Sequence, residues 1–192
     1  MKTIADSSQL PCLMLPIDRN LLLVPNNCVA EVVNSGLASA IASSVTLGTL
    51  QWRDNEVPIV SVEGMLGRTL PRDYQFKQAA IVIGLSAPER LPYFAIALAG
   101  MPRLRNLSPA EVGLLDISKS GSAGEKEDVI QSRVQVDGIE MLVPDWEYLE
   151  RQILQTLYGD GSWSEDGDSV EDQSPEGQSI ENLSDSAENK DH

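Results

Sequence analysis

Residues 48–67 read GTLQWRDNEVPIVSVEGMLG, and how this stretch is read decides the fold class. It holds two short apolar runs, 49–52 and 57–62, joined by the polar link Arg53-Asp54-Asn55-Glu56. β-Branched and aromatic residues on both sides of an Asp-Asn link predict a β-hairpin. Asp54 and Asn55 are expected to take the left-handed conformation that tight hairpin turns use. Pro58 has no N–H for a ladder, so it is expected at a strand start, an edge or a bulge. Arg53 is left at the hairpin shoulder, where its guanidinium either solubilises the turn or meets a partner.

Outward from the hairpin the chain keeps reading as short strands. Residues 10–17 and 20–24 predict a first strand pair, with prolines at its margins. Asn26-Asn27 opens a turn or single helical turn before the apolar 28–33 segment, and 35–44 is expected to be a loop. Residues 68–78 read as a surface connection. The continuous apolar run AAIVIGL at 79–85 predicts a strand covered on both faces. A loop at 86–90 leads to another strand at 91–99, and 103–107 predicts an edge strand. Ser108-Pro109-Ala110-Glu111 has the cap, the first-position proline and the acid of a one-turn helix start. Residues 113–127 are expected to form a loop. Asp137-Gly138, between 129–136 and 139–143, is a strong hairpin signal. Asp145 is placed to cap a helix over 145–158, with Trp146, Leu149, Ile153 and Leu157 on one apolar face.

The chain has 192 residues, 42% of them hydrophobic and only 5% aromatic, so the core is expected to be mainly aliphatic. Net charge is −15, unevenly spread: from residue 159 onward there are eleven acids against one base, Lys190. That segment is too poor in apolar residues to offset its ordering entropy, and 159–192 is expected to be a disordered acidic tail. Its Asp166-Gly167-Asp168 lacks the glycine position and flanking helices of a calcium loop. An acidic balance excludes nucleic-acid binding through a basic stripe and adsorption to an anionic leaflet. The longest apolar runs hold about ten residues, half of what a spanning helix needs, so no membrane insertion is expected. The N-terminus does not resemble a signal peptide, and Cys12 and Cys28 have neither metal nor redox spacing; a cytoplasmic protein is expected.

Little points to catalysis. The one histidine is His192, which excludes a histidine-based triad in a rigid site. Walker, Rossmann and nucleophile-elbow motifs are missing. Asp54 and Glu56 lie close in sequence but read as a solvated turn with no acid–base role. Neither a cofactor nor a metal is expected.

The central hairpin resembles that of CheW-like coupling domains, in which a Gly precedes an apolar run, an Asn-Leu-Arg-Gly turn, a Val-Pro-Val-Val-Asp-Leu strand and a Leu-Gly pair. Gly48, Leu50, Arg53, Val57, Pro58, Ile59, Val60, Val62, Leu66 and Gly67 fall in register with it. Asp54 stands where the family has the turn Gly, and Ser61 where it has the strand Asp. The order of parts is similar from about residue 10 to 157, and 97–104 resembles the ChpC and PilI branch that serves type IV pili and twitching motility. The resemblance implies a mainly β fold of two packed SH3-like five-stranded β-barrels with short helices and a C-terminal helix. One CheW-like domain would span 1–158, with the first barrel at 20–75 and the second at 76–144 plus the N-terminal strand. It also implies a non-enzymatic adaptor joining the cytoplasmic tip of a methyl-accepting chemoreceptor to the regulatory domain of a CheA-type histidine kinase. The family's contact positions correspond to Val29, Glu31, Val32, Gly48 and Arg53. Val29 and Val32 would offer an apolar patch, Gly48 a close backbone approach, and Glu31 and Arg53 polar specificity. The alternatives are a module that occupies only one of the two partners, and a small β-barrel enzyme.

Overall fold

A computed structural model describes residues 9–34, 45–71, 74–116 and 126–159. The expected loop at 35–44 and the acidic tail from 160 onward lie outside the described residues.

The described residues form eleven strands in two sheets. The first sheet joins β1 (Leu10–Pro16), β2 (Leu21–Pro25), β8 (Arg103–Leu107), β9 (Gly113–Leu115), β10 (Ile130–Val136) and β11 (Ile139–Pro144) in the order β8-β1-β2-β11-β10-β9. The second joins β3 (Val29–Asn34), β4 (Thr46–Trp52), β5 (Asn55–Val60), β6 (Gln78–Ile83) and β7 (Tyr93–Leu98) in the order β3-β6-β7-β5-β4. Short helices α1 (Val62–Met65) and α2 (Trp146–Tyr158) complete the described secondary structure, with single helical turns at Asn26–Cys28, Pro109–Glu111 and Glu127–Val129.

This arrangement corrects the expected division at 75/76. β6 and β7 pair with β3 and β5, so the whole second sheet comes from the middle of the chain. β2 joins the other sheet, through a parallel bridge between Leu22 and Leu142. Two strands 120 positions apart leave no local signal of their pairing. The first sheet also has six strands where five were expected, because Gly113–Leu115 pairs with β10 at a site read as loop.

Three apolar clusters explain the two-sided burial. Leu47, Trp52, Val57, Ile59, Ala79, Ile81, Ala95 and Ala97 fill the inside of the second sheet. Cys12, Leu23, Leu107, Val134, Val136 and Met141 fill the inside of the first. The alternate residues Leu15, Leu22, Ala80, Val82, Phe94, Ile96, Leu98 and Leu142 form a shared core with Leu149 and Ile153 of α2. β6 and β7 therefore bury both faces, as their unbroken apolar runs predict. The buried members of each inner cluster come from every strand of their sheet but one, β9 in the first and β3 in the second. Neither ladder closes, since β8 and β9, and likewise β3 and β4, remain its ends. In the second sheet side chains draw the lips together, Glu31 of β3 meeting Trp52 of β4; in the first, Arg105 of β8 pairs with Asp137 of the β10–β11 turn at 2.5 Å.

Local chemistry sets the element ends. Asp145 accepts from the Tyr148 backbone N–H at 2.9 Å, the expected cap of α2. Asp137 and Gly138 have φ of 51° and 79°, as a two-residue hairpin turn demands. Ser61 caps α1 by accepting from Gly64 N–H. At the other end Arg68 N–H bonds to Glu63 O and Gly67 N–H to Gly64 O, the paired bonds of a Schellman stop. Gly67 has the φ of +85° which that stop requires, and this accounts for the Leu-Gly pair in backbone terms.

Glu63 joins the two sheets. It is 1% exposed and accepts from the Asp18 backbone N–H in the β1–β2 turn and from Ser61 Oγ at 3.1 Å. Burial pushes its carboxyl above the ordinary value of 4.5, although these hydrogen bonds oppose the shift. Between that value and the higher folded one, the folded protein holds a proton that the unfolded chain has lost, so stability falls as pH rises through the window. Glu63→Gln keeps the shape and removes the titration. The variant is expected to gain stability relative to wild type as pH climbs upward from 4.5. Urea midpoints across a pH series check this, and parallel curves for the two proteins would contradict it.

Candidate interaction site

β4 ends in the turn Arg53-Asp54, with Trp52 paired to Asn55. The left-handed residue is Arg53, at φ +52°, not Asp54 or Asn55 as expected. Asn55 instead begins β5. The difference matters for where the cation lies. In an extended strand, neighbours point to opposite faces; the left-handed turn breaks that alternation at Arg53. Its guanidinium carbon comes to lie 4.4 Å from the Trp52 ring centroid, within cation–π range. Pro58 lies opposite Thr49 of β4, and the ladder to β7 begins only at Ile59. The missing N–H therefore falls just before the strand acquires its second neighbour.

Glu31 stands on β3, at the opposite lip of the same sheet, beside a bulge between Val29 and Glu31. Its Oε2 accepts from Trp52 Nε1 at 2.9 Å and from Arg53 Nη2 at 3.4 Å. Trp52 meets Tyr93 edge-on, with centroids 4.9 Å apart. The curl of the sheet thus brings together Glu31 and Arg53, two of the five expected contact residues. Both side chains stay open to solvent, 46% and 68% exposed.

The other three are placed differently. Val29 and Val32 are half-buried against the shared core, so they contribute more to packing than to a free apolar patch. Gly48 is half-buried in β4, where the ladder slips by one residue between Thr46 and Gly48. Its φ of +117° is a backbone reason for glycine. A side chain at Gly48 would strain the bulge, so loss of binding in such a variant would not separate contact from folding. All five residues nonetheless lie on β3, on β4 or in the turn that ends β4.

Trp52 is the member of this group that sequence reasoning passed over. Its signal was a tryptophan immediately before a hairpin arginine, but its acceptor lies 21 residues away on another strand.

The buried titratable groups near α1 serve the fold. A cleft of about 330 Å³ is lined by Asp18, Arg19, Glu63, Arg68, Thr69 and Tyr74, among others. Burial, reinforced by the charges of Glu63 and Asp18, pushes the Tyr74 phenol up to about 12. Both Glu63 oxygens are engaged by the fold itself, so this carboxyl serves as a joint between sheets. Burial also raises both cysteine thiols above their ordinary value, away from reactive thiolate chemistry. Among the described residues there is no group of three or more His, Cys, Asp or Glu able to hold a metal ion. No described helix is long and apolar enough to cross a membrane.

No protein-family model and no curated protein sequence matches the chain. Among solved structures it is similar to the crystal structure of scaffolding protein TtCheW from Thermoanaerobacter tengcongensis, with a TM-score of 0.58 and 10% sequence identity, over 78% of this chain and 92% of that one. With its two curled sheets, short helices and shared core, the chain has the CheW-like, mainly β fold.

Proposed function

We propose that this protein is a non-enzymatic adaptor of chemosensory signalling, coupling a chemoreceptor tip to the regulatory domain of a CheA-type histidine kinase in the cytoplasm. One observation carries the reading. The five positions picked out by resemblance collect on the two lip strands of one sheet, and the two charged ones meet there as an exposed pair. An exposed pair of this kind adds little to stability but can supply orientation and partner choice. The scaffolding protein with the similar fold supports the same role. The finer assignment to type IV pili and twitching motility rests on the 97–104 segment alone.

The test is a three-component binding experiment with a receptor-tip fragment and a kinase regulatory domain. The adaptor reading expects both to bind at once; capture of only one makes the chain a single-partner module, and capture of neither overturns the proposal. Arg53→Ala is expected to weaken partner binding about tenfold, some 1.4 kcal/mol, while stability changes by less than about 0.5 kcal/mol. Calorimetric titration beside a melting curve checks the pair of effects. Unchanged binding would remove Arg53 from the site.

A further inference from the structure

We propose that Trp52 is the positioning residue of this site, holding Arg53 and Glu31 in one preset arrangement for a partner surface; the inference rests on the adaptor reading above. The indole makes three engagements at once. Its N–H donates to Glu31 Oε2 at 2.9 Å. Its face carries the Arg53 guanidinium, with 4.4 Å from Cζ to the ring centroid. Its own orientation is fixed by the Tyr93 ring at 67° and 4.9 Å. The direct contact between the two charges is looser, 3.4 Å to the oxygen that the indole already occupies. Glu31 is therefore held more closely by Trp52 than by Arg53, and the guanidinium has the indole face as its second support.

Burial assigns the parts. Trp52 is 6% exposed and belongs to the inner core of the sheet, while Arg53 and Glu31 are open. Long charged side chains lose rotamer freedom when a partner fixes them. Here a rigid aromatic anchored in the core fixes them beforehand, which slows dissociation more than it speeds encounter. The fitting surface carries a carboxylate for the planar guanidinium fork and, beside it, a base for Glu31.

Nitrogen-15 NMR of the free full-length protein tests the positioning directly. Arg53 Nε–H is expected to be ordered in wild type and in Trp52→Phe, which keeps an aromatic face. In Trp52→Leu it is expected to become as mobile as Arg19, an exposed arginine in loose contact with Asp18 at 3.5 Å. An Arg53 as mobile as Arg19 in wild type overturns the proposal, and that readout needs no partner. Binding to the kinase regulatory domain and the receptor-tip fragment supplies the second arm. Trp52→Leu is expected to lose about tenfold in affinity, an effect similar to that of Arg53→Ala. Adding Trp52→Leu to Arg53→Ala is expected to cost clearly less than Trp52→Leu alone, because only the share that acts through Glu31 is left to lose. Additive losses would make Trp52 a residue of the fold alone. Where Trp52→Leu does not fold, Trp52→Phe carries the cycle: it removes the N–H to Glu31, and its binding loss should vanish in a Glu31→Ala background. If wild type binds neither probe, the adaptor reading falls, and the NMR result still decides whether Trp52 orders Arg53.

Discussion

Glu150→Ala is expected to cost about 3 kcal/mol of folding stability, since three backbone donors lose their acceptor at roughly 1 kcal/mol or more each. Glu150 lies on α2 and is 1% exposed. Its Oε1 accepts from Leu85 N–H at 2.7 Å, and its Oε2 from Ser86 and Ala87 N–H at 2.8 and 3.2 Å. One carboxylate thus ties the helix to the loop between β6 and β7, across more than sixty residues of sequence. Glu150→Gln keeps one acceptor oxygen but turns an NH₂ group toward the same donors, so a loss of about 2 kcal/mol is expected. Urea unfolding gives the magnitude, and faster hydrogen exchange at Ser86 and Ala87 gives the location. A loss below about 0.5 kcal/mol, typical of surface substitutions, would show that water replaces the carboxylate freely.

Gly84→Ala is expected to reach a similar size, about 3 kcal/mol, through sterics in place of lost hydrogen bonds. Gly84 N–H bonds to Pro92 O at 2.9 Å, so the two stems of the same loop lie against each other. A Cβ at Gly84 would sit 1.8 Å from Leu91 O and 3.0 Å from Leu91 C. Both are backbone atoms, which cannot swing aside as a side chain would. The glycine therefore marks a close approach of two chain segments. A melting temperature unchanged from wild type would mean that the loop re-routes at little cost. Because Glu150 holds the next three residues of this loop, the double variant should fall short of additivity, as neighbouring sites do.

Much of the architecture was legible because it follows local rules. The Asp137-Gly138 turn, the Asp145 cap, the Ser108 helix start and the two-sided burial of β6 depend on residues close in sequence. The sheet division did not yield to such reading, because a bridge such as Leu22–Leu142 has no local trace. β9 was hidden for a different reason. Its three residues Gly113, Leu114 and Leu115 show no alternation, and Leu114 is 80% exposed. Leu157, expected on the buried stripe of α2, is 40% exposed, while Glu150 takes a buried place that its chemistry argues against. A buried acid looks like a surface acid until its donors are known, and these come from a loop some 64 positions away. Of the candidate site, Glu31 and Arg53 were legible through resemblance and proved to be neighbours. The left-handed turn that makes them so was assigned to the wrong residues, since Asp and Asn tolerate that conformation more readily than Arg.

The first sheet draws β1 and β2 from one end of the chain and β8 to β11 from the other, with the entire second sheet between them. During synthesis on a ribosome, strands 29–98 can assemble as soon as they emerge, since each ladder partner lies within that span. β2 must wait for β11, which arrives more than a hundred residues later, with its unpaired flank exposed to solvent in the meantime. A nascent chain halted before Ile139 would therefore carry a finished middle and an unsatisfied margin at Leu21–Pro25. That margin is where a chaperone, or a neighbouring nascent chain, would take hold.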